Sequence, residues 1–210
     1  MADIDTGSSP FLRRAYDLTG PEDAAALYDE WAETYEADTA ASMGYVGPAV
    51  AAGRLAELAP APATVLDAGA GTGLVGVELA RRGDYTVDGF DVSPAMLEKA
   101  RATGHYRHVD VADLTARLPV ADGTYDAVVC VGTLTEGHVG PEALAEFVRV
   151  TRPGGLVVAT ILDPIWEPKG YRAAVDALAE AGRADLREAD EHPYRTAQDV
   201  TCRLVVLDVR

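Results

Sequence analysis

The stretch that decides the fold reads Val65-Leu66-Asp67-Ala68-Gly69-Ala70-Gly71-Thr72-Gly73-Leu74-Val75-Gly76. A short apolar run ends in an acidic residue, and glycines then alternate in the pattern Asp-x-Gly-x-Gly-x-Gly. The pattern predicts a β-strand that meets a helix through a turn of bare backbone, because glycine permits positive φ and lets a ligand touch the chain directly. We therefore expect a ligand with an extended, polar middle to lie across this turn.

Two known nucleotide-binding loops have to be weighed against this stretch. A triphosphate-binding loop needs a Gly-Lys-Ser/Thr end, which the sequence lacks. The dinucleotide fingerprint Gly-x-Gly-x-x-Gly fits residues 71–76, but Asp67 just ahead of the glycines would repel a pyrophosphate. A carboxylate suits a ligand with an ammonium group, such as S-adenosylmethionine, which also carries a sulfonium, a ribose and an adenine. The remaining segments decide between these ligands.

Two further acidic residues stand where a nucleoside would need them. Asp91 ends an alternating run and follows Gly69 by 22 residues, which is the spacing of a second strand in a β-α-β unit. A carboxylate there can accept both ribose hydroxyls. Asp110 ends a third short run, where it could accept a hydrogen bond from the adenine amino group beside an apolar Val111. The alternatives are a surface acid at Asp91 and a turn cap at Asp110 or Asp113.

Two later segments predict strands buried on both faces. Residues 127–131 are five consecutive apolar residues, and residues 132–138 follow them. Ligands bind beyond the carboxyl ends of such strands, so we expect residues 132–138 to open into the site. A Pro-Gly-Gly turn at residues 153–155 then leads into another apolar run.

Taken in this order, the five segments resemble the class I S-adenosylmethionine-dependent methyltransferases over about residues 25 to 160. A closer resemblance, to the Williams–Beuren region methyltransferase-like proteins, rests on residues 28–36, 44–45, 69–76 and 131–139. The resemblance implies an α/β, Rossmann-like, doubly wound, seven-stranded sheet that is mostly parallel, with an antiparallel last strand beside the fifth. It also implies N-terminal cap helices. We expect an arm and cap helices over the cleft in residues 1–54 and the methyltransferase core in residues 55–210, as one domain overall.

The motifs and the resemblance together indicate the residues that bind S-adenosylmethionine, with S-adenosylhomocysteine as product. They are Tyr28, Trp31, Tyr35, Asp67, Gly69, Ala70, Gly71, Thr72, Gly73, Asp91, Val92, Met96, Asp110, Val111, Val131, Gly132 and Thr133.

The aromatic residues of the N-terminal segment form a stripe. Residues 19–22 have the form of a capping box and predict a helix to about Ala40. Tyr28, Trp31 and Tyr35 fall on one face of it. That face could simply pack on the domain, but the resemblance favours a cap over the cofactor, where aromatic rings attract a sulfonium.

Methyl transfer is an in-line displacement that needs alignment and exclusion of water, and a base only where the acceptor cannot lose its proton unaided. His138 is the candidate base, because it follows the fourth strand and histidine titrates near neutral pH. Local capping or packing is the alternative role. For the acceptor pocket we expect Tyr45 from a flexible joint, Trp166 as a flat apolar wall, and His192.

Composition limits the partners. The net charge of −16 over 210 residues repels phosphate backbones and disfavours a nucleic-acid substrate. No apolar run approaches the roughly 20 residues that cross a bilayer, and residues 1–5 are unlike a signal peptide. Cys130 and Cys202 sit in apolar patterns, so we expect neither a disulfide nor a metal site.

These observations predict a cytoplasmic S-adenosylmethionine-dependent methyltransferase that acts on an O-, N- or S-atom of a small molecule, as a monomer or homodimer. Two alternatives stay open: methylation of a protein or peptide, and a protein that binds S-adenosylmethionine without transferring its methyl group.

Overall fold

The computed structural model describes residues 10–135 and 138–210, and for residues 40–42 it describes the backbone alone. The expectations for the arm at residues 1–9 fall outside the described residues. No helix in the described residues qualifies as a membrane span.

Seven strands of the described chain form a single sheet. They are β1 (Ala63–Ala68), β2 (Tyr85–Asp91), β3 (His108–Val111), β4 (Tyr125–Leu134), β5 (Thr151–Leu162), β6 (Ala184–Arg195) and β7 (Val200–Val209). Their order is β3-β2-β1-β4-β5-β7-β6. Strands β1 to β5 pair in parallel, and β7 runs antiparallel to both β5 and β6. The predicted Rossmann-like sheet, with its antiparallel last strand beside the fifth, is confirmed.

The strand order places the cleft. From β1 the chain builds outward through β2 to β3, then returns to place β4 on the other side of β1. Ligands of such sheets bind outside the carboxyl ends of the strands at this point of reversal. The glycine-rich turn after β1 and the segment after β4 therefore share one edge of the sheet.

Helices cover both faces of the sheet. They are α1 (Pro10–Tyr16), α2 (Pro21–Trp31), a π-helix (Ala37–Ser42), α3 (Gly47–Leu58), α4 (Leu74–Ala80), α5 (Pro94–Ala102), α6 (Ala143–Val150), α7 (Asp163–Trp166), α8 (Tyr171–Glu180) and a 3-10 turn (Thr196–Gln198). Phe147 of α6 and Val175 of α8 are buried on one face of the sheet. Leu55 of α3 and Leu79 of α4 are buried on the other.

The first cap helix is shorter than the sequence predicts. Helix α2 begins with Pro21 at its first turn and ends at Trp31 rather than near Ala40. The indole Nε1 of Trp31 donates to the carboxylate of Asp38 at 2.8 Å, which holds the chain as it turns into the π-helix. The predicted side-chain cap is also absent, because Gly20 occupies the N-cap position.

The predicted boundary between cap and core, after residue 54, falls inside helix α3. Ala51, Ala52 and Leu55 of this helix are fully buried among residues of the sheet. Helix α3 thus packs against the sheet on both sides of that boundary, and the division into cap and core stays a prediction.

One side chain fastens the cap to the core. Asp29 of α2 accepts hydrogen bonds through its Oδ1 from the hydroxyl of Ser93 at 2.6 Å and from the backbone N–H of Ala95 at 3.1 Å. Ser93 is itself the N-cap of α5, because its hydroxyl oxygen accepts the N–H of Met96 at 3.1 Å. The cap helix is thus anchored to the turn that follows β2.

We predict that Asp29→Ala loosens the cap. It removes both acceptor bonds, a loss of about 1 kcal/mol for a partly exposed cap of this kind. Urea unfolding should show that loss, and amide hydrogen exchange should accelerate in α2. Glu30→Ala is the matched control, since its pair with Arg14 is exposed and such pairs contribute little. Equal effects of the two substitutions would contradict the anchoring role.

Candidate functional site

The glycine-rich turn joins β1 to α4 and faces the cleft. Gly69 and Gly71 have φ of +86° and +52°, a backbone region that favours glycine. A Cβ at Gly69 would collide with the side chain of Thr133 at the end of β4. A Cβ at Gly71 would meet open space, so bare backbone is presented to the cavity at that position.

Asp91 ties this turn to the next one. Its Oδ2 accepts the N–H of Gly71 at 2.9 Å, and its Oδ1 accepts the N–H of Ser93 at 2.9 Å. Burial raises the pKa of Asp91 above its usual range, and these backbone donors oppose that rise by stabilising the anion. Each carboxylate oxygen has a further lone pair, so both can still accept a ligand hydroxyl.

Asp67 lies beneath the turn rather than on the cavity surface. Its carboxyl group is fully buried, and its Oδ2 accepts the hydroxyl of Tyr106 at 2.6 Å. Its Oδ1 has no hydrogen-bond partner within the described residues. Burial raises the pKa of Asp67 to about 7, the Tyr106 hydrogen bond opposes the rise, and the nearby Asp91 charge adds to it. A buried acid with one unpaired oxygen is a common sign of a ligand site.

The outer cavity, as we name the cleft along the glycine turn, has about 700 Å³ of space including its open mouth. Ten of the predicted cofactor residues line it: Tyr28, Tyr35, Gly69, Gly71, Asp91, Val92, Met96, Val131, Gly132 and Thr133. Residues that the sequence reading missed line it as well: Gly20, Pro21, Ala24, Asp113, Leu114, Thr115 and Val139.

The other predicted residues of the turn shape it without lining the cavity. Ala70 and Thr72 are buried, and Gly73 takes the left-handed conformation at the N-cap of α4.

Trp31 of the cap helix is also buried, 1% exposed, and its ring packs edge-on against Tyr35 with centroids 4.9 Å apart. Tyr28 and Tyr35 therefore face the outer cavity, and Trp31 supports them from behind.

The residues predicted at the end of the third strand do not lie on the outer cavity. Asp110 and Val111 are exposed, Val111 at 60%, and neither lines the cavity. Asp113 and Leu114 line it, because β3 ends at Val111 and the chain then bends toward the cleft. Asp113 Oδ1 accepts the N–H of Thr115 at 2.8 Å, which leaves Oδ2 for a ligand. The sequence signal for this position is the second acidic-apolar pair, Asp113-Leu114, which was not predicted to bind the cofactor.

A second cavity, the inner cavity, lies between the cap and the end of β6, with about 450 Å³ of space including its opening. Its lining comprises Leu12, Ala15, Tyr16, Tyr28, Trp31, Tyr35, Thr39, Met43, Tyr45, Gly132, Thr135, His138, Tyr194 and Arg195. Four of these residues also line the outer cavity: Tyr28, Tyr35, Gly132 and His138. The two cavities therefore meet at these four residues.

His138 stands at this junction. Its Nε2 lies 2.7 Å from the hydroxyl oxygen of Tyr28, and its Nδ1 lies 2.9 Å from Oγ1 of Thr135. In a neutral ring one nitrogen donates and the other accepts. The candidate base is thus held between the cap and the loop after β4.

The three residues predicted for the acceptor pocket have different positions. Tyr45 lines the inner cavity, with its ring edge-on to Tyr194 at 5.1 Å. Trp166 does not, because α7 turns its ring into the core, where it is 4% exposed and lies under the guanidinium of Arg203. Trp166 therefore lines neither the outer nor the inner cavity.

His192 lies opposite Cys202 on β7 and lines neither cavity. The segment was the right one, since Tyr194 and Arg195 at the end of β6 do line the inner cavity.

Comparisons with known proteins identify the family of the chain. A family description of a methyltransferase domain matches residues 65–155. Methyltransferase-like protein 27 of Homo sapiens is 38% identical over 193 residues, which is 87% of this chain and 78% of that protein. Demethylmenaquinone methyltransferase of Mycobacterium marinum is 39% identical over 148 residues, which is 69% of this chain and 62% of that enzyme.

Solved structures share the fold at low identity. A TehB-like S-adenosylmethionine-dependent methyltransferase from Corynebacterium glutamicum superposes with a TM-score of 0.64 at 23% identity, over 88% of this chain and 99% of that one. The SpnF cyclase superposes with a TM-score of 0.68 at 17% identity, over 91% of this chain and 97% of that one. These two likenesses show a shared fold. The 38% identity to the human methyltransferase-like protein, with the matched methyltransferase domain, confirms the resemblance read from the motifs. The chain belongs to the class I S-adenosylmethionine-dependent methyltransferase family.

Proposed function

We propose that this chain transfers the methyl group of S-adenosylmethionine to a small-molecule acceptor and releases S-adenosylhomocysteine. The observation that carries the proposal is the pair of joined cavities. The outer one runs along the glycine turn and Asp91, and the inner, aromatic one meets it at Gly132 and His138. The outer cavity suits a nucleoside cofactor, and the inner cavity suits the molecule that receives the methyl group.

The residues of the outer cavity fit the cofactor. Bare backbone at Gly71 allows close approach of its extended middle, and Asp91 offers two oxygens to the ribose hydroxyls. Asp113 and Leu114 offer an acceptor and an apolar surface to the adenine. The unpaired oxygen of Asp67 supplies negative charge beneath the turn for the ammonium group. When bound, S-adenosylmethionine supplies a methyl group already activated by a positive sulfur.

The chain's own contribution is alignment and exclusion of water. Tyr28 and Tyr35 of the cap cover the outer cavity, where their ring faces attract a sulfonium. The Asp29 anchor keeps the cap in place. Methyl transfer in a closed site of this kind gains mostly from proximity and from the loss of competing water.

The inner cavity favours a small acceptor. Its volume of about 450 Å³ is in the range of small-molecule pockets, and α1 and α2 enclose it. Six of the relatives are named as demethylmenaquinone methyltransferases, and demethylmenaquinone is a small molecule. The net charge of −16 weighs against nucleic acid.

His138 is proposed to move a proton through Tyr28. Because the Nε2 of His138 already contacts the Tyr28 hydroxyl, an acceptor O–H would give its proton to the Tyr28 oxygen as Tyr28 gives its own to Nε2. Thr135 then accepts from Nδ1–H and holds the ring in that tautomer. Burial keeps the pKa of Tyr28 well above its usual value, so the phenol is neutral at rest.

The direct test uses S-adenosylmethionine labelled in its methyl group. We expect label in at least one member of a panel of small phenols, carboxylates, amines and thiols, and none in basic peptides. His138→Ala should reduce that transfer by about 10²–10⁴-fold, the usual contribution of a general base, and leave S-adenosylhomocysteine affinity nearly intact. His192→Ala is the matched control and should change neither.

Three results would count against this account. Label found only in peptides would favour the protein-methylating alternative. Tight binding of S-adenosylhomocysteine without transfer to any acceptor would favour a non-methylating protein. A His138→Ala enzyme with unchanged turnover would remove the proposed base.

We also predict a pH dependence of cofactor binding. Only ionised Asp67 attracts an ammonium group, and its pKa of about 7 leaves it protonated in the free protein at pH 5.5. Calorimetric affinity for S-adenosylhomocysteine should therefore rise from pH 5.5 to 7.5, because binding releases that proton. Asp67→Asn should weaken binding at pH 7.5 and flatten the slope. Tyr106→Phe, which removes the bond that opposes the shift, should move the rise to higher pH. An identical pH profile in Asp67→Asn would refute the role of Asp67.

A further inference from the structure

Three glycines beside the glycine-rich turn leave a slot that a side chain of the protein fills. Gly73 and Gly76 belong to the string that fits a dinucleotide, and Gly89 lies opposite Asp67 on β2. A Cβ on Gly76 would stand 2.5 Å from the ring of Tyr106, and a Cβ on Gly73 or Gly89 would stand 3.1 Å from it. Protein interiors are close-packed, so these glycines make room for Tyr106 rather than for a ligand.

The hydroxyl of Tyr106 joins helix α4 to the acid near the end of β1. Its oxygen accepts the N–H of Gly76 at 3.0 Å, and its proton is donated to Oδ2 of Asp67 at 2.6 Å. Gly73 at the N-cap of α4 has no side chain that could cap the helix, so Tyr106 satisfies one free N–H of the first turn instead. That N–H is therefore not offered to a phosphate.

The direction of these hydrogen bonds is fixed by the protonation of Tyr106. Burial raises the pKa of Tyr106 well above its usual value, and the carboxylate of Asp67 raises it further, so the phenol keeps its proton. The hydrogen bond that it donates stabilises the anionic form of Asp67. Asp67 is fully buried, and its Oδ1 has no hydrogen-bond partner within the described residues.

The chain beside Tyr106 is fastened to β2. The N–H of Arg107 donates to the carbonyl of Val87 at 2.7 Å, and its Nε donates to Oδ1 of Asp88 at 2.9 Å. The ring of Tyr106 itself packs against a buried cluster that includes Ala70 of the glycine-rich turn. A hydroxyl on so fixed a frame keeps the carboxylate that it contacts in one orientation.

We propose that Tyr106 is a positioning residue, which holds the carboxylate of Asp67 for the ammonium group of S-adenosylmethionine and thereby makes the glycine-rich turn selective against phosphate-bearing cofactors. This assignment rests on the methyltransferase function proposed above and concerns its cofactor site. Tyr106 does not line the outer cavity, so it acts through Asp67 rather than by touching the cofactor. Charges act over several ångström in a protein interior, so the buried carboxylate needs no direct contact with the ammonium group.

The test compares S-adenosylhomocysteine with its desamino analogue, which keeps the adenosine, thioether and carboxylate but lacks the ammonium group. Calorimetry at pH 7.5 should show that the wild-type protein binds S-adenosylhomocysteine at least about tenfold more tightly than the analogue. Tyr106→Phe keeps the ring in its slot and removes both hydrogen bonds of the hydroxyl. We expect this variant to lower the preference to about threefold or less, with affinity for the desamino analogue within about twofold of the wild type.

Two further variants separate positioning from general support of the fold. In an Asp67→Asn background, Tyr106→Phe should leave the preference unchanged, because the group through which Tyr106 acts is already neutral. Gly76→Ala should lower the preference as Tyr106→Phe does, because the added Cβ displaces the phenol from the helix side. It also tests the contact if Tyr106→Phe does not fold. Tyr85→Phe, which removes one hydrogen bond from a hydroxyl to the carbonyl of Ala59, is the matched control and should change neither affinity.

The outcomes distinguish this proposal from the proposed function. If the wild-type protein binds neither molecule, the proposed function fails. If the wild-type protein binds both molecules equally, or if Tyr106→Phe weakens both by the same factor, the positioning role fails while the function stands. An unchanged preference in a folded Tyr106→Phe protein would also overturn the assignment.

Discussion

The carboxylate of Asp91, held by the N–H groups of Gly71 and Ser93, is the interaction on which the site depends. It joins the turn after β1 to the turn after β2 and so holds the two turns of the proposed nucleoside site in a fixed position relative to each other. Through Ser93 the same network reaches Asp29 and the cap. A single, partly buried carboxylate thus links the glycine turn, the start of α5 and the helix that covers the cleft.

This arrangement concentrates negative charge in a buried place. Asp91 raises the pKa of Asp67, and burial raises the pKa of both groups. Ionised carboxylates without full compensation are costly in a protein interior. A ligand with an ammonium and a sulfonium group would compensate this negative charge. The carboxylates therefore favour a cationic ligand in the outer cavity.

Much of the site could be predicted from the sequence where a local rule decides position. Gly69, Gly71 and Asp91 stand at strand ends, and the carboxyl ends of parallel strands meet at one edge whatever the details of packing. The start of α5 follows another local rule, because serine favours the N-cap and proline the first turn, as at Ser93 and Pro94. His138 follows β4 directly and reaches the junction of the cavities.

Other positions depend on where a chain bends after its strand, which the local pattern does not contain. Asp110 and Asp113 are both acids near the end of β3, and only the exact end of the strand decides between them. Trp166 is a flat, apolar residue of the kind that lines pockets, but the four-residue helix α7 turns its side chain into the core. Tyr194 and Arg195 belong to no motif, and only the antiparallel pairing of β6 and β7 brings the end of β6 beside the cap.

The most direct measurement is a calorimetric titration of S-adenosylhomocysteine into the wild-type protein and into Asp91→Ala, with a thermal melt to show that both are folded. The account predicts micromolar or tighter binding to the wild type and a loss of about 1.5–3 kcal/mol in the variant, the range for hydrogen bonds to a charged group. Equal affinities in two folded proteins would contradict the placement of the ribose on Asp91, and with it the organisation of the whole site.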